Sequence, residues 1–488
     1  MRELSGSGIY GNRIPKSGSS RAEPPRITRE KTPFRTRRFA VSPSLSLLIV
    51  LVCTACLVLA LSIGGSPIGS ELQVNVTTAA DQGAPSVAMT SGGEFAVVWE
   101  SYGQDGDGYD IYARQYDSTG TPIATEFGVN INTTGDQRYP CADTDSDSNL
   151  MIVWQSPGDY WDGVGYSTLG VYILRFDSSG TSWNPSEQLA NDQMAGDQFE
   201  PVIAVASNSK HVAVWTDSGQ DGSGNGVFGK LFNQMGGRIL NFQANTYITG
   251  SQSQPAIAMS DAGDFVVMWN SYAQDGDEGG ICGQRFSSGG SVRGSEFLVN
   301  THTSDDQNSP AVAIHSSGTF MAAWSSYGQD GDGYGIFGQR YDDAGTRLGS
   351  EFQVNTHIIG DQVKPSVSPG SNGSFLATWS SQGPGGNGFD VYAQQFDSDG
   401  SPIGSEFKVN SYVSGDQMDA VISADSLGNY VIAWSSADQD GDGLGIFCQR
   451  YDTVAIPEFG EALVPVTVTL LVFVVLMKRR SKKGKTES

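Results

Sequence analysis

The chain is 488 residues long, 38% of them hydrophobic, enough for large cores, and carries a formal net charge of −24. The acid is concentrated: residues 66–452 hold 13 of the 29 lysines and arginines but 47 of the 53 aspartates and glutamates, near −34, while both ends are basic. That balance argues against nucleic acid or an anionic membrane as partner of the central segment, and favours divalent cations, a saline medium or plain solubility.

In chain order, residues 1–42 form a basic N-region, with Arg35, Arg37 and Arg38 near its end, that reads as disordered and cytoplasmic. Residues 43–63 follow without a charge, long enough to span a bilayer, as a signal sequence or an uncleaved transmembrane anchor. Five cysteines provide no disulfide framework. Cys53 and Cys56 lie in the apolar run, and Cys141, Cys282 and Cys448 read as small buried hydrophobes in separate repeats.

Residues 66–452 are built from a repeat whose register is set by Trp99, Trp154, Trp215, Trp269, Trp324, Trp379 and Trp434, spaced 55, 61, 54, 55, 55 and 55 residues apart. A period this long without helical patterning points to a propeller or solenoid. In the fifth copy, residues 311–315, 319–325, 335–341 and 351–355 carry strand chemistry, separated by glycine-containing turns. Four strands per unit make a β-propeller blade, so the expected fold is an all-β, seven-bladed propeller. Residues 66–75 form a fourth strand with no first three ahead of it, and the last copy stops after its third strand. The N-terminal strand is therefore expected to complete the last blade and leave no exposed sheet edge. With strands lettered A to D from the axis outward, both termini leave from one face and the D–A and B–C loops share the other.

Those loops supply the candidate sites. The B–C sequence Gln-Asp-Gly-Asp-Gly is intact at 104–108, 329–333 and 439–443 and nearly so at 274–278. Its paired carboxylates, Asp105 and Asp107, Asp275 and Asp277, Asp330 and Asp332, Asp440 and Asp442, are candidate Ca²⁺ ligands, to be completed by backbone carbonyls or a neighbour such as Asp110. The alternative is that they only make the turn. The D–A loops carry Asp-Gln at Asp81, Asp136, Asp197, Asp306, Asp361 and Asp416, a recurrence that suits a bond to a neighbouring loop. The tryptophans read as blade-to-blade packing. A specific site should break the symmetry, as the longer B–C segment of the second copy does with Asp159, Tyr160, Trp161 and Asp162. Tyr and Trp beside carboxylates can stack on a sugar ring and bond its hydroxyls, and Trp183 is a second candidate. An insertion covering the channel mouth is the plainer account of the same residues.

The sequence reads as non-enzymatic. His211, His302, His315 and His357 form no metal or triad motif, and carboxylates are too numerous to single out a glycosidase pair. The strand-C arginines, Arg114, Arg175, Arg285, Arg340 and Arg450, come without a sialidase Asp-box pattern.

Residues 453–488 hold Pro457-Glu458-Phe459-Gly460, an apolar run at 462–477 and a basic end from Lys478. This ordered combination resembles the PEF-type sorting tail of archaeal surface proteins. The resemblance implies recognition by an archaeosortase-like membrane enzyme and anchoring at the cell surface; a plain membrane anchor is the alternative. Basic residues outside both apolar runs place the ends in the cytoplasm and the propeller outside the cell. Sequons at Asn75, Asn132 and Asn372 suit such a location. The chain thus reads as a cell-surface propeller, tethered to the membrane through its termini, binding a glycan or surface protein as an adhesion module with Ca²⁺ a candidate ligand. The alternatives are an extracellular carbohydrate-active enzyme, hydrolase or lyase, and a structural envelope component.

Overall fold

The computed structural model describes residues 65–161, 167–192, 195–383 and 388–452. They form seven four-stranded antiparallel sheets, each with its strands in the order A-B-C-D. Blade 5 is representative, with A at Gln307–Ile314, B at Phe320–Tyr327, C at Tyr334–Tyr341 and D at Arg347–Gln353. The A strands pack against one another around a closed circle, so they line the axis. Ser66–Gln73 is strand D of blade 7 and pairs with Leu444–Asp452, Ser66 opposite Asp452 and Gln73 opposite Phe447. The expected closure is therefore present. The N- and C-terminal segments outside residues 65–452, including the apolar runs and the Pro457–Gly460 motif, lie outside the described residues. No helix among those described is long and apolar enough to cross a membrane.

The cores sit between blades. In blade 4, Phe265, Val267 and Trp269 of strand B pack with Val212, Val214 and Val227 of blade 3. The intervening Val266 and Met268 pack with Val312, Phe320 and Trp324 of blade 5. A strand buried on both faces needs a continuous apolar run instead of alternation, which is why strand B ends each repeat's most hydrophobic stretch. All seven tryptophans are buried, Trp215 the most exposed at 4%. Cys282 and Cys448 are buried free thiols and Cys141 is partly so, as small hydrophobes would be.

The second copy departs from expectation. Its inserted segment extends the B–C hairpin: strand B runs Leu150–Trp161, strand C runs Ser167–Phe176, and Trp161 pairs with Ser167. Extra residues at a hairpin tip satisfy their backbone groups by pairing across it.

One polar device locks all seven blades. An asparagine after each strand D donates to a glutamine seven residues on, in the pairs Asn75–Gln82, Asn130–Gln137, Asn191–Gln198, Asn245–Gln252, Asn300–Gln307, Asn355–Gln362 and Asn410–Gln417. Its carbonyl oxygen accepts a strand-C amide, as Asn300 does from Ile281 at 2.8 Å. Buried polar groups must be paired or they cost free energy, and here one side chain closes the loop, the strand and the next blade's start together. Asn75 is 3% exposed in this role, so its sequon is not available in the folded chain, whereas Asn372 is exposed in a turn. A second device ties neighbours: Glu71, Glu126, Glu187, Glu296, Glu351 and Glu406 of strand D regions accept amides from the D–A loop of the preceding blade. Blade 3 lacks this glutamate, and Lys230, Arg238 and Asn241 gather on Asp192 instead.

Candidate functional site

Every strand A begins with a bulge. Its register against strand B shifts between Gly83 and Ser86, and at the same place in the other six blades. The residue within each shift has positive φ although none is glycine: Ala84 (46°), Tyr139 (54°), Glu200 (53°), Gln254 (54°), Ser309 (52°), Lys364 (54°) and Asp419 (55°). Left-handed backbone costs a non-glycine residue about 1–2 kcal/mol, and the fold accepts that strain seven times at one position. Since strands A are innermost, these residues ring the axial opening on the face of the B–C loops. The repeats agree closely elsewhere, yet here all seven differ. The preceding residues, Gly83, Arg138, Phe199, Ser253, Asn308, Val363 and Met418, are also all different.

The ring residues engage one another. Arg138 forms a two-point pair with Glu100, 2.6 Å from Nη2 to Oε1 and 3.3 Å from Nε to Oε2. Glu100 is 4% exposed and also accepts the Tyr139 amide at 3.0 Å. The hydrogen bond it donates to Glu100 raises the Arg138 pKa further, so the guanidinium is permanently charged. It lies 4.2 Å above the Tyr109 ring and 5.3 Å from the Tyr139 ring, and Tyr139 is half exposed. Glu200 accepts from Thr216 Oγ1 at 3.0 Å and from the Gln254 amide at 2.9 Å. Gln254 in turn accepts the Ser309 amide at 3.0 Å. Lys364 Nζ donates to Asp419 Oδ1 at 2.6 Å. The opening thus offers a fixed cation beside a free aromatic face, then a carboxylate, then a lysine–aspartate pair. Such a set can stack on a sugar ring, bond its hydroxyls and hold an acidic substituent.

Three carboxyl groups elsewhere in the blades are held above the ordinary carboxylate range. Burial pushes Asp143 and Asp217 up to about 6. Burial first, then the Asp105 carboxylate beside it, pushes Asp110 up to about 7.

The loop aspartates divide their tasks. The second of each pair reaches the D–A loop: Asp107 accepts the Gly135 amide at 3.3 Å, Asp277 that of Asp305 at 3.1 Å, Asp332 that of Gly360 at 3.2 Å and Asp442 that of Ala80 at 3.2 Å. The first turns inward in blades 4, 5 and 7, where Asp275, Asp330 and Asp440 bond the side chains of Asn300, Asn355 and Asn75. In blade 1 Asn130 bonds Asp110 instead. Among the described residues no three acidic, histidine or cysteine side chains converge as a metal cluster. The D–A aspartates bond neighbouring loops, as expected: Asp81, Asp136, Asp197, Asp361 and Asp416 accept amides at the start of strand C.

Asp162 and the side chains of Asp159, Tyr160 and Trp161 lie outside the described residues. Trp183 is half exposed on the opposite face, with the Arg175 guanidinium 3.8 Å over its ring. The strand-C arginines do not gather at the axis. Arg175, Arg285, Arg340 and Arg450 each donate to a backbone carbonyl in the C–D turn of the next blade. Sequence reasoning passed over the bulge ring, whose signal is the motif Gln-x-x-Pro in six blades and Gln-x-x-Ala in the seventh, with both middle positions unconstrained.

No known protein family and no characterised protein matches the sequence. Solved structures do share the fold. The polysaccharide lyase Uly1 is 8% identical, with 80% of this chain and 100% of that one covered and a TM-score of 0.50. An ulvan lyase bound to a glucuronate–sulfated rhamnose fragment is 9% identical (80% and 95% covered, TM-score 0.48). The α-L-arabinofuranosidase Arb93A of Fusarium graminearum is 10% identical (80% and 99%, TM-score 0.47). These likenesses show the fold alone. The likeness to Uly1 nonetheless corrects the expectation that the chain is not an enzyme: a polysaccharide lyase has this fold, so the lack of a linear motif does not set an activity aside. The physical reason is that a propeller assembles a site from separate blades, one residue from each, so catalytic residues need leave no linear motif.

Proposed function

We propose that this propeller is a carbohydrate-active enzyme that binds and cleaves an acidic polysaccharide at its axial opening. The observation that carries the reading is the bulge ring: strained backbone, seven different side chains and a fixed guanidinium, in a molecule whose other positions repeat. The Arg138–Glu100 pair would hold a uronate carboxylate through the remaining guanidinium nitrogen, with the sugar against Tyr139. Glu200, the Tyr139 phenol and the Lys364–Asp419 pair are the groups placed to take or return a proton. The likeness to a polysaccharide lyase supports elimination as the reaction class, and hydrolysis is the second form of the same reading. Display outside the cell belongs to the proposal, supported by the uncharged segment 43–63 and the tail with Pro457–Gly460, the apolar run and the basic end.

The test is incubation of the full-length protein with a panel of uronate-containing and neutral polysaccharides, reading new reducing ends and the ultraviolet absorbance of an unsaturated product. Cleavage with that absorbance, lost in Tyr139→Phe, supports elimination; cleavage without it supports hydrolysis. No cleavage of any glycan sinks the reading. Protease shaving of intact cells, with mass analysis of the mature C-terminus, tests the location.

A further inference from the structure

Blades 1 and 6 differ from their siblings at one position of strand C. The strand-C residue two positions before the partner of each blade's tryptophan is Gly170, Gly226, Gly280, Gly335 and Gly445 in five blades, but Asp110 in blade 1 and Asp390 in blade 6. In four of the five the glycine makes room for the loop aspartate. A Cβ would stand 2.9 Å from the Asp221 carboxylate at Gly226, 2.5 Å from Asp275 at Gly280, and 2.4 Å from Asp330 at Gly335 and from Asp440 at Gly445. Blade 6 has no loop aspartate to displace, since its B–C segment begins Gln382-Gly383-Pro384, and Asp390 takes over the bond to Asn410 at 2.8 Å. Lys408 neutralises it at 2.6 Å.

Blade 1 keeps both acids and lacks the lysine. Asp110 occupies the inward place, 2% exposed, with Oδ1 accepting from Asn130 at 2.6 Å. Its Oδ2 is buried without a hydrogen-bond donor. Asp105 is pushed outward and exposed, where Asp275, Asp330 and Asp440 are half-buried. The two carboxyl groups remain within bonding reach of each other, with the Thr133 hydroxyl beside Asp105. The position that Lys408 fills in blade 6 is Gly128 here, opposite Tyr112 as Lys408 is opposite Tyr392. No basic side chain among the described residues pairs with either acid. Two carboxylates in contact repel unless a proton or a cation lies between them.

We propose that Asp105 and Asp110 hold a hard divalent cation of the Ca²⁺ type in blade 1, with the Thr133 hydroxyl, loop carbonyls and water completing an all-oxygen shell. Two carboxylates place it among weak extracellular sites, with Kd on the order of 10⁻⁴–10⁻³ M. Blades 4, 5 and 7 carry only one inward carboxylate each and do not bind at this level.

The test is titration of the full-length chain with CaCl₂ by calorimetry, together with melting in CaCl₂ and in chelator. One ion per chain and a rise in Tm of several degrees are expected. Asp110→Gly, the residue of five sister blades, should weaken binding at least tenfold. Gly128→Lys imports the lysine of blade 6 while both acids stay, and the added Cβ would meet only Tyr112, at 3.8 Å. It too should abolish binding, which keeps the test decisive if Asp110→Gly folds poorly. No binding at about 10 mM, ten or more times the expected Kd, would mean that the pair shares a proton and overturns the proposal. So would binding that survives both substitutions, or several equal sites per chain.

Discussion

Two rings of side chains lie two residues apart at the start of the same seven A strands and obey opposite rules. Gln82 and its six counterparts are identical, buried and hydrogen-bonded to the same asparagine. Ala84 and its counterparts are all different, partly exposed and held in left-handed backbone. The first ring is what every blade needs in order to close, so any change there leaves buried polar groups unpaired. The second has no folding task that its side chains perform in common, and the strain it carries is a cost to the fold. Identity marks where the architecture is made, and divergence marks where the molecule has been left free to meet something else.

Asn300→Ala is the strongest way to break that comparison. Asn300 bonds Asp275, the His302 carbonyl, Gln307 and the Ile281 amide. Its loss should destabilise the protein by about 3 kcal/mol, since a buried unsatisfied group costs roughly 1–3 kcal/mol, as measured by denaturant unfolding. The mouth should behave in the reverse way. Tyr139→Phe keeps the ring and removes only a half-exposed hydroxyl, so stability should hold while kcat/KM falls about 10–100-fold, or about 1.4–2.7 kcal/mol.

Asp217 sharpens the comparison within blade 3. It is fully buried without a hydrogen-bond partner, at a place where Ser101, Ser156, Ser271, Ser326, Ser381 and Ser436 stand in the other blades. Its pKa is raised to about 6 by burial, so the folded chain holds this proton more tightly than the unfolded chain does. The stabilisation is complete below about pH 4, the ordinary carboxylate range, and is lost as pH rises through 6. Asp143, pushed the same way, adds to the slope. Asp217→Ser should therefore raise stability at pH 8 by about 1–3 kcal/mol and flatten the profile, read from melting temperatures between pH 4 and 8. The smallest effect is expected at the bulge itself. Ala84→Gly relieves the left-handed strain without removing any side-chain bond and should stabilise by about 1 kcal/mol, the sign opposite to that of Asn300→Ala.

The fold was legible because its determinants recur. Seven tryptophans at a near-constant spacing counted the blades, and an unpaired fourth strand ahead of Gln82 announced the closure. Burial on both faces explains why the strand-B runs were conspicuous. The asparagine partners of the glutamines were less so, because a bond seven residues long through a loop leaves no period of its own. The mouth was hidden for a different reason. Tyr139, Glu200 and Lys364 stand in backbone that their own preferences oppose, and a position that differs in every copy looks like drift. The inserted hairpin of blade 2 drew attention as an irregular loop, whereas its residues to Trp161 continue strand B. Asp110 could be named as a neighbour of the loop acids, but that it displaces Asp105 depends on a glycine elsewhere in the ring.

The pairing of Ser66–Gln73 with Leu444–Asp452 brings the two ends of the propeller out side by side, Ser66 against Asp452. A force that drew these ends apart would load that strand pair one bond at a time from its open end, the weak direction of a zipper. Ends held together on a common support would put no tension on it at all. Blade 7 is thus a clasp whose mechanical strength depends on how its two straps are tied, and a ring of seven blades stays shut most securely when both are fastened to the same place.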